Sequence, residues 1–177
     1  RPVARRVGGV LSASSRRLNS VEILTAFVQE ASQQGAVIAD AYMSDTKVWA
    51  ETILPQPIVV PTVKNGEVVM FAGARFSTSD YGDGAVDMRA FLLNGACLNG
   101  MVRESVMKQV HLGSRLPDNL QLSNRTYELD TRTTVSAVRD LTRGLFSKDN
   151  IMQKAIEIQG AAEIDADFDQ ELKRLVK

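Results

Sequence analysis

The sequence offers a single thiol–imidazole pair for nucleophilic catalysis. Cys97 and His111 are the only thiol and the only imidazole. A cysteine nucleophile needs a nearby base and a lowered pKa, whereas Cys97 lies in an apolar stretch typical of a buried, unreactive thiol. One cysteine and one histidine are also too few for a structural zinc site. We therefore predict no catalytic residue of this kind.

Three acidic residues, Asp80, Asp83 and Asp87, lie in or just after a polar, glycine-rich segment at 77–84. A calcium loop that began at Asp80 would need a glutamate at its twelfth position, where Phe91 stands. Acidic residues in such a segment are typical turn formers, and no phosphate-binding glycine motif is present. We expect no metal and no cofactor, and a metal-dependent nuclease or phosphotransfer enzyme is kept as an alternative.

Basic side chains point instead to a polyanionic ligand. A basic helix face beside an antiparallel sheet can follow a phosphate backbone, although Glu128 and Asp140 also allow a merely solvated helix face. Tyr81, in the polar loop, could stack on a base, whereas Tyr42, Trp49 and Phe76 are interpreted as core. The predicted nucleic-acid-binding residues are Arg5, Arg6, Arg16, Arg17, Arg103, Lys108, Arg115, Arg132, Arg139, Arg143 and Tyr81.

A helix and an antiparallel meander are the first elements that would position these residues. Residues 19–34 have the spacing of an amphipathic helix, with Asn19 and Glu22 as a capping box and Gly35 just past its end. Strands are predicted near 37–39, 47–54, 58–63 and 67–72, and residues 74–78 either extend the last strand or begin another one beyond Gly73. Asn65-Gly66 is a hairpin turn, and Pro61 implies an edge position or a bulge.

The second half of the chain is predicted to be helical. Residues 85–110 have the composition of one long central helix or a broken pair, and further helices are expected at 135–144, after a cap at Ser147 or Asp149, and near 168–176. Segregated strands and helices indicate an α+β fold. We divide the chain into a basic arm at 1–18, an α+β core at 19–130 and a helical segment at 131–177.

Composition favours a soluble globular protein. The 177 residues are 44% hydrophobic and 24% charged, with 21 basic and 21 acidic side chains. No apolar run approaches the roughly 20 residues of a spanning helix, so no membrane association is predicted. The lone cysteine and the lack of a secretory signal predict a cytoplasmic protein.

Charge is uneven along the chain. Five arginines precede the first acid, Glu22, while residues 157–177 hold six acidic and three basic side chains. Such complementary ends can attract neighbouring copies head to tail and produce a ring or filament. They can also be two solvated ends of a neutral protein.

Two segments resemble a phage/plasmid-like protein family of unknown function. The first is Phe-Ser-Thr-Ser-Asp-Tyr-Gly-Asp-Gly-Ala at 76–85, and the second is Phe-Leu-Leu-Asn-Gly-Ala-Cys-Leu-Asn-Gly-Met-Val at 91–102. That family has an NSDxG segment followed by RxVCxNG, and the likeness covers roughly residues 10–105. The resemblance implies no enzymatic activity and a bacterial host. In element order the chain is also similar to phage single-strand annealing proteins of the RecT and Erf types.

The leading hypothesis is an oligomeric phage or mobile-element protein that binds single-stranded nucleic acid, in DNA annealing or recombination. The alternative is a structural or virion protein that forms a homo-oligomer without nucleic acid. Either way the sequence predicts a protein that is not an enzyme.

Overall fold

One antiparallel sheet and three helices form the described part of the chain. The structure is a computed structural model that describes residues 19–63, 66–80, 85–95, 101–109 and 119–163. The helices are α1 (Ser20–Gln33), α2 (Asn124–Leu145) and α3 (Lys148–Glu163). The predicted α+β class is confirmed. Within the described ranges, no helix is both long enough and apolar enough to cross a membrane.

The sheet has the strand order β1-β2-β4-β5-β6, and β3 pairs with the other half of β4. Every pairing is antiparallel. Pro61 lies in β3, whose described partner is β4 alone, so its predicted edge position is confirmed. The strands are β1 (Val37–Met43), β2 (Lys47–Ile53), β3 (Ile58–Thr62), β4 (Gly66–Ser79), β5 (Val86–Asn94) and β6 (Met101–Gln109).

The predicted central helix at 85–110 is wrong, because this segment contributes β5 and β6. Burial alternates at its start, where Val86 and Met88 are buried and Arg89 is exposed, which is the period of a strand. Periodicity alone does not separate a short apolar run in a strand from one in a helix. Pairing with β4 makes this segment a strand, since residues 70–77 pair with 87–94. Gly95 ends the pairing by donating its N–H to the Val69 carbonyl at 2.8 Å.

The core lies between the helices and one face of the sheet. On this face, Phe76 stacks on Phe27 of α1 with ring centroids 5.5 Å apart, and Met88 and Val138 belong to the same buried cluster. A second cluster joins Ile58, Val60 and Met70 to the inner side of α3. All three helices therefore cover the same face of the sheet.

The start of α1 differs from the predicted capping box. Asn19 makes no side-chain cap and instead donates to Glu22 through its amide at 2.6 Å. The Ser20 N–H donates to Asp80 Oδ1 at 3.0 Å, so a carboxylate from the end of β4 occupies the positive end of the helix. Gly35 has φ +86°, which confirms the left-handed position past the helix.

A serine lies just before the first residue of α2 and of α3 and caps each helix. Ser123 Oγ accepts from Thr126 N–H, and Ser147 Oγ accepts from Asn150 N–H, which confirms the predicted cap at Ser147. The predicted domain boundary at 130/131 falls inside α2. The predicted arm at 1–18 and the predicted helix near 168–176 lie outside the described residues.

Candidate nucleic-acid interface

The face of the sheet turned away from the helices, here called the open face, holds two cross-strand rows of aromatic, polar and charged side chains. Their register follows from pairing across β1, β2, β4, β5 and β6. The aromatic row consists of Tyr42, Trp49, Ser77, Asp87 and Lys108. The charged row consists of Asp40, Glu51, Arg75, Arg89 and Ser105. Each row spans four inter-strand spacings, or about 19 Å.

Tyr42, Trp49 and Arg75 form a continuous stack. The two rings lie 6.2 Å apart at an interplanar angle of 23°, and the Arg75 guanidinium lies 4.3 Å from the centroid of the Trp49 ring. Tyr42 belongs to the edge strand and is 53% exposed. The stack thus opens to solvent at Tyr42, where a further flat group could be added.

The two arginines of the charged row lie on neighbouring strands, directly opposite each other. Arg75 donates from Nη1 to Glu51 Oε1 at 3.1 Å, and Arg89 donates from Nε to Asp87 Oδ2 at 2.8 Å. The negative charges of these carboxylates offset the repulsion between the two guanidiniums. Both arginines remain partly exposed, so each is within reach of a ligand on the open face.

Gly73 and Phe91 lie opposite each other on neighbouring strands, next to the charged row. The Phe91 ring lies across Gly73, and a Cβ at this position would collide with the ring and come within 2.7 Å of the Thr52 carbonyl. Glycine is needed here for close approach, not for an unusual φ. Phe91 is buried although it lies on the open face, so the solvent-exposed part of this face lies nearer to the arginines and Tyr42 than to Phe91.

The structure separates the predicted binding residues that it describes. Lys108 is exposed on β6, opposite Asp87 in the aromatic row. The backbone of Arg103 lies opposite Phe91 in the same strand pair. Arg132 and Arg139 are exposed on α2, in the helix layer on the other side of the sheet. The remaining predicted residues lie outside the described ranges: Arg5, Arg6, Arg16, Arg17, Tyr81 and Arg115.

Arg143 is held by a buried carboxylate. Its Nε and Nη2 donate to the two oxygens of Glu30 at 2.9 and 3.1 Å, and the Glu30 side chain is only 5% exposed. Hydrogen bonds to Glu30, and then the charge of Glu30, raise the pKa of Arg143. This two-pronged geometry ties α1 to α2. The arginine is therefore occupied within the helix layer.

Sequence reasoning missed the open face because it interpreted Tyr42 and Trp49 as core. Only Phe76 of those three aromatics is core, with no exposed surface. The signal was present in the alternation of β2, where Lys47, Trp49 and Glu51 share one side while Ala50 and Thr52 are buried on the other. The same alternation in β4 and β5 places Arg75 and Arg89 on the open face.

Within the described ranges, no metal site is assembled. No group of three or more His, Cys, Asp or Glu side chains is found there. Asp80 is bonded to the start of α1 and Asp87 to Arg89, while Asp83, Cys97 and His111 lie outside the described residues.

Comparisons with protein families, with curated proteins and with solved structures return no match. The resemblance to a phage/plasmid-like family stays a prediction from the sequence.

Proposed function

We propose that the open face binds single-stranded nucleic acid without catalysing a reaction on it. The observation that supports this is the exposed Tyr42–Trp49 stack beside Arg75 and Arg89. Sequence-tolerant binding of single strands combines aromatic platforms for bases with cations for phosphates. The hypothesis from the sequence is kept, and the sheet is proposed in place of α2 as the described part of its binding surface.

In this proposal the bases extend the stack at Tyr42 and the backbone crosses toward β6. Stacking on an aromatic side chain contributes about 1–3 kcal/mol per base. Arg89 and Lys108 lie on the path across the sheet, where they contact phosphates.

The test is fluorescence anisotropy with a labelled single-stranded oligonucleotide at about 50 and 200 mM salt. We expect binding that weakens as salt rises, and a loss of about tenfold or more for Trp49→Ala or Tyr42→Ala. Leu129→Ala is the control, because it removes an apolar side chain of similar exposure from the helix layer. No binding at low salt, or equal binding by all four proteins, contradicts the proposal.

A second candidate function is self-assembly, favoured by the edge strand β1. All seven of its residues are exposed, including Val37, Ile38 and Met43. An exposed apolar edge is a template for pairing with another chain. A second copy of this protein would add its own strand there, with or without nucleic acid.

Ile38→Lys tests this assembly. A lysine on an edge strand opposes pairing with another chain, and Ile38 is 56% exposed, so the fold itself should tolerate the change. We expect sedimentation to show an oligomer for the unaltered chain and a monomer for the variant. A monomeric unaltered chain, with and without oligonucleotide, rules the assembly out.

A further inference from the structure

The two rows of the open face bear as many negative as positive charges, while Lys47 lies on the same face beyond them. The carboxylates are Asp40, Glu51 and Asp87, and the cations are Arg75, Arg89 and Lys108. A surface that held phosphates by attraction alone would carry an excess of positive charge. The cancellation therefore needs a physical reason.

Stability supplies only part of that reason. Glu51 lies opposite Arg75, which favours the sheet, but the charged row also places Asp40 opposite Glu51 and Arg75 opposite Arg89, and like charges directly opposite each other destabilise a sheet. Asp87 adds a second cost, because its Oδ1 is buried with no hydrogen-bond partner among the described residues.

The ion pairs of the open face also differ from the structural pair in the helix layer. Two nitrogens of Arg143 donate hydrogen bonds to the two carboxylate oxygens of Glu30. Arg75 reaches Glu51 through a single nitrogen and oxygen, and Arg89 reaches Asp87 likewise. Pairs with one contact and partial exposure contribute little to folding, and each arginine keeps donors for another acceptor.

We propose that Glu51 and Asp87 are specificity residues that restrict the open face to unpaired strands. They neutralise Arg75 and Arg89, so that phosphate attraction alone is too weak to hold a ligand. This inference rests on the proposed function of the open face and identifies the form of nucleic acid that it accepts.

A duplex and a single strand differ in what they can offer such a surface. The bases of a duplex are paired and stacked on one another, so they cannot add to the stack at Tyr42. A duplex brings phosphates only, and these meet arginines that already have carboxylate partners. A single strand gains the stacking with Tyr42 and Trp49 in addition, and this gain compensates for the weakened electrostatic attraction.

The experiment compares the affinities of the full chain for one oligonucleotide and for its duplex. The variants are Glu51→Gln and Asp87→Asn, which retain shape and remove one negative charge. Asp40→Asn is a third variant, at an exposed position of the charged row. It provides a result even if a substitution at the more buried Glu51 or Asp87 unfolds the chain. Glu128→Gln, on an exposed site of α2, has the same charge change away from the open face.

We expect the unaltered chain to prefer the single strand. Glu51→Gln and Asp87→Asn should each raise duplex affinity by about two- to fivefold, with a smaller rise for the single strand, so that the preference falls. Asp40→Asn should act in the same direction, and Glu128→Gln should leave the preference unchanged.

If the folded variants gain no more duplex affinity than Glu128→Gln, the inference is overturned. The proposed function then still stands on the losses caused by Trp49→Ala and Tyr42→Ala. If the unaltered chain binds neither form of nucleic acid, both fail together. If it prefers the duplex, the inference fails and the aromatic stack is not the source of affinity.

Discussion

At the scale of single residues, Gly73 shows how one backbone position sets the shape of the open face. The Phe91 ring occupies the space where a side chain at 73 would project, and the Thr52 carbonyl closes the other side. The sequence analysis predicted a strand on each side of Gly73 but left open whether one strand continued through it. The close approach of Phe91 decides this, and such a contact between distant residues is not encoded in the local pattern.

Gly73→Ala should therefore destabilise the protein by about 1–3 kcal/mol, because the Phe91 ring must move from its position. Denaturant unfolding gives the free energy. Gly144→Ala is the control: no atom lies within 4 Å of its added Cβ, and α2 is helical there, so the variant should gain up to about 1 kcal/mol. Equal effects of the two substitutions would contradict the role given to Gly73.

At the scale of elements, the Arg143–Glu30 pair fixes α2 against α1, while Arg89 and its neighbours belong to the open face. Helical spacing placed Arg132, Arg139 and Arg143 together, since they share one helix. Spacing within α2 did not show that Glu30, 113 residues away in sequence, accepts two hydrogen bonds from Arg143. A pairing this distant depends on the tertiary packing of the two helices.

Two charge-matched variants separate these roles. Arg143→Gln should lower the melting temperature, because Glu30 stays buried without its ion pair, and it should leave affinity for single-stranded oligonucleotide unchanged. Arg89→Gln should lower that affinity and reduce the melting temperature less than Arg143→Gln does, since Arg89 makes one contact with Asp87 and the Asp87 side chain is more exposed than that of Glu30. The reverse pattern would place the phosphate contacts on α2 and not on the sheet.

The stability of helix α3 should depend on pH, because Glu157 is paired with Lys154 within that helix. Lys154 bonds both Glu157 and Glu104 of β6, and its hydrogen bond lowers the pKa of Glu157. A carboxylate with a lowered pKa stabilises the fold above its ordinary pKa, and this contribution is lost as pH falls through the lowered value.

Thermal melts of Glu157→Gln and the unaltered chain check this dependence. The variant should melt at a lower temperature at neutral pH, and the difference should shrink in strong acid. Glu128→Gln, with the same charge change on α2, serves as the control. A difference that is constant with pH would show that the charge of Glu157 does not stabilise the fold.

At the scale of the whole molecule, the α+β class, the meander and the caps at Gly35 and Ser147 follow from local patterns. The central helix was mispredicted because β5 and β6 depend on pairing with β4, which a window of sequence does not contain. The open face was missed for a related reason. Tyr42, Trp49, Arg75 and Arg89 come from four strands, and only the register brings them into two adjacent rows.

The fluorescence of Trp49 tests the central claim most directly, because it is the only tryptophan in the chain and it lies in the proposed binding stack. Titration with an unlabelled single-stranded oligonucleotide should quench its emission to a plateau, as bases extend the stack, while the matching duplex should change it far less. Binding of the single strand, measured by anisotropy, with no change in Trp49 emission would contradict the account, because the strand would then lie elsewhere on the molecule.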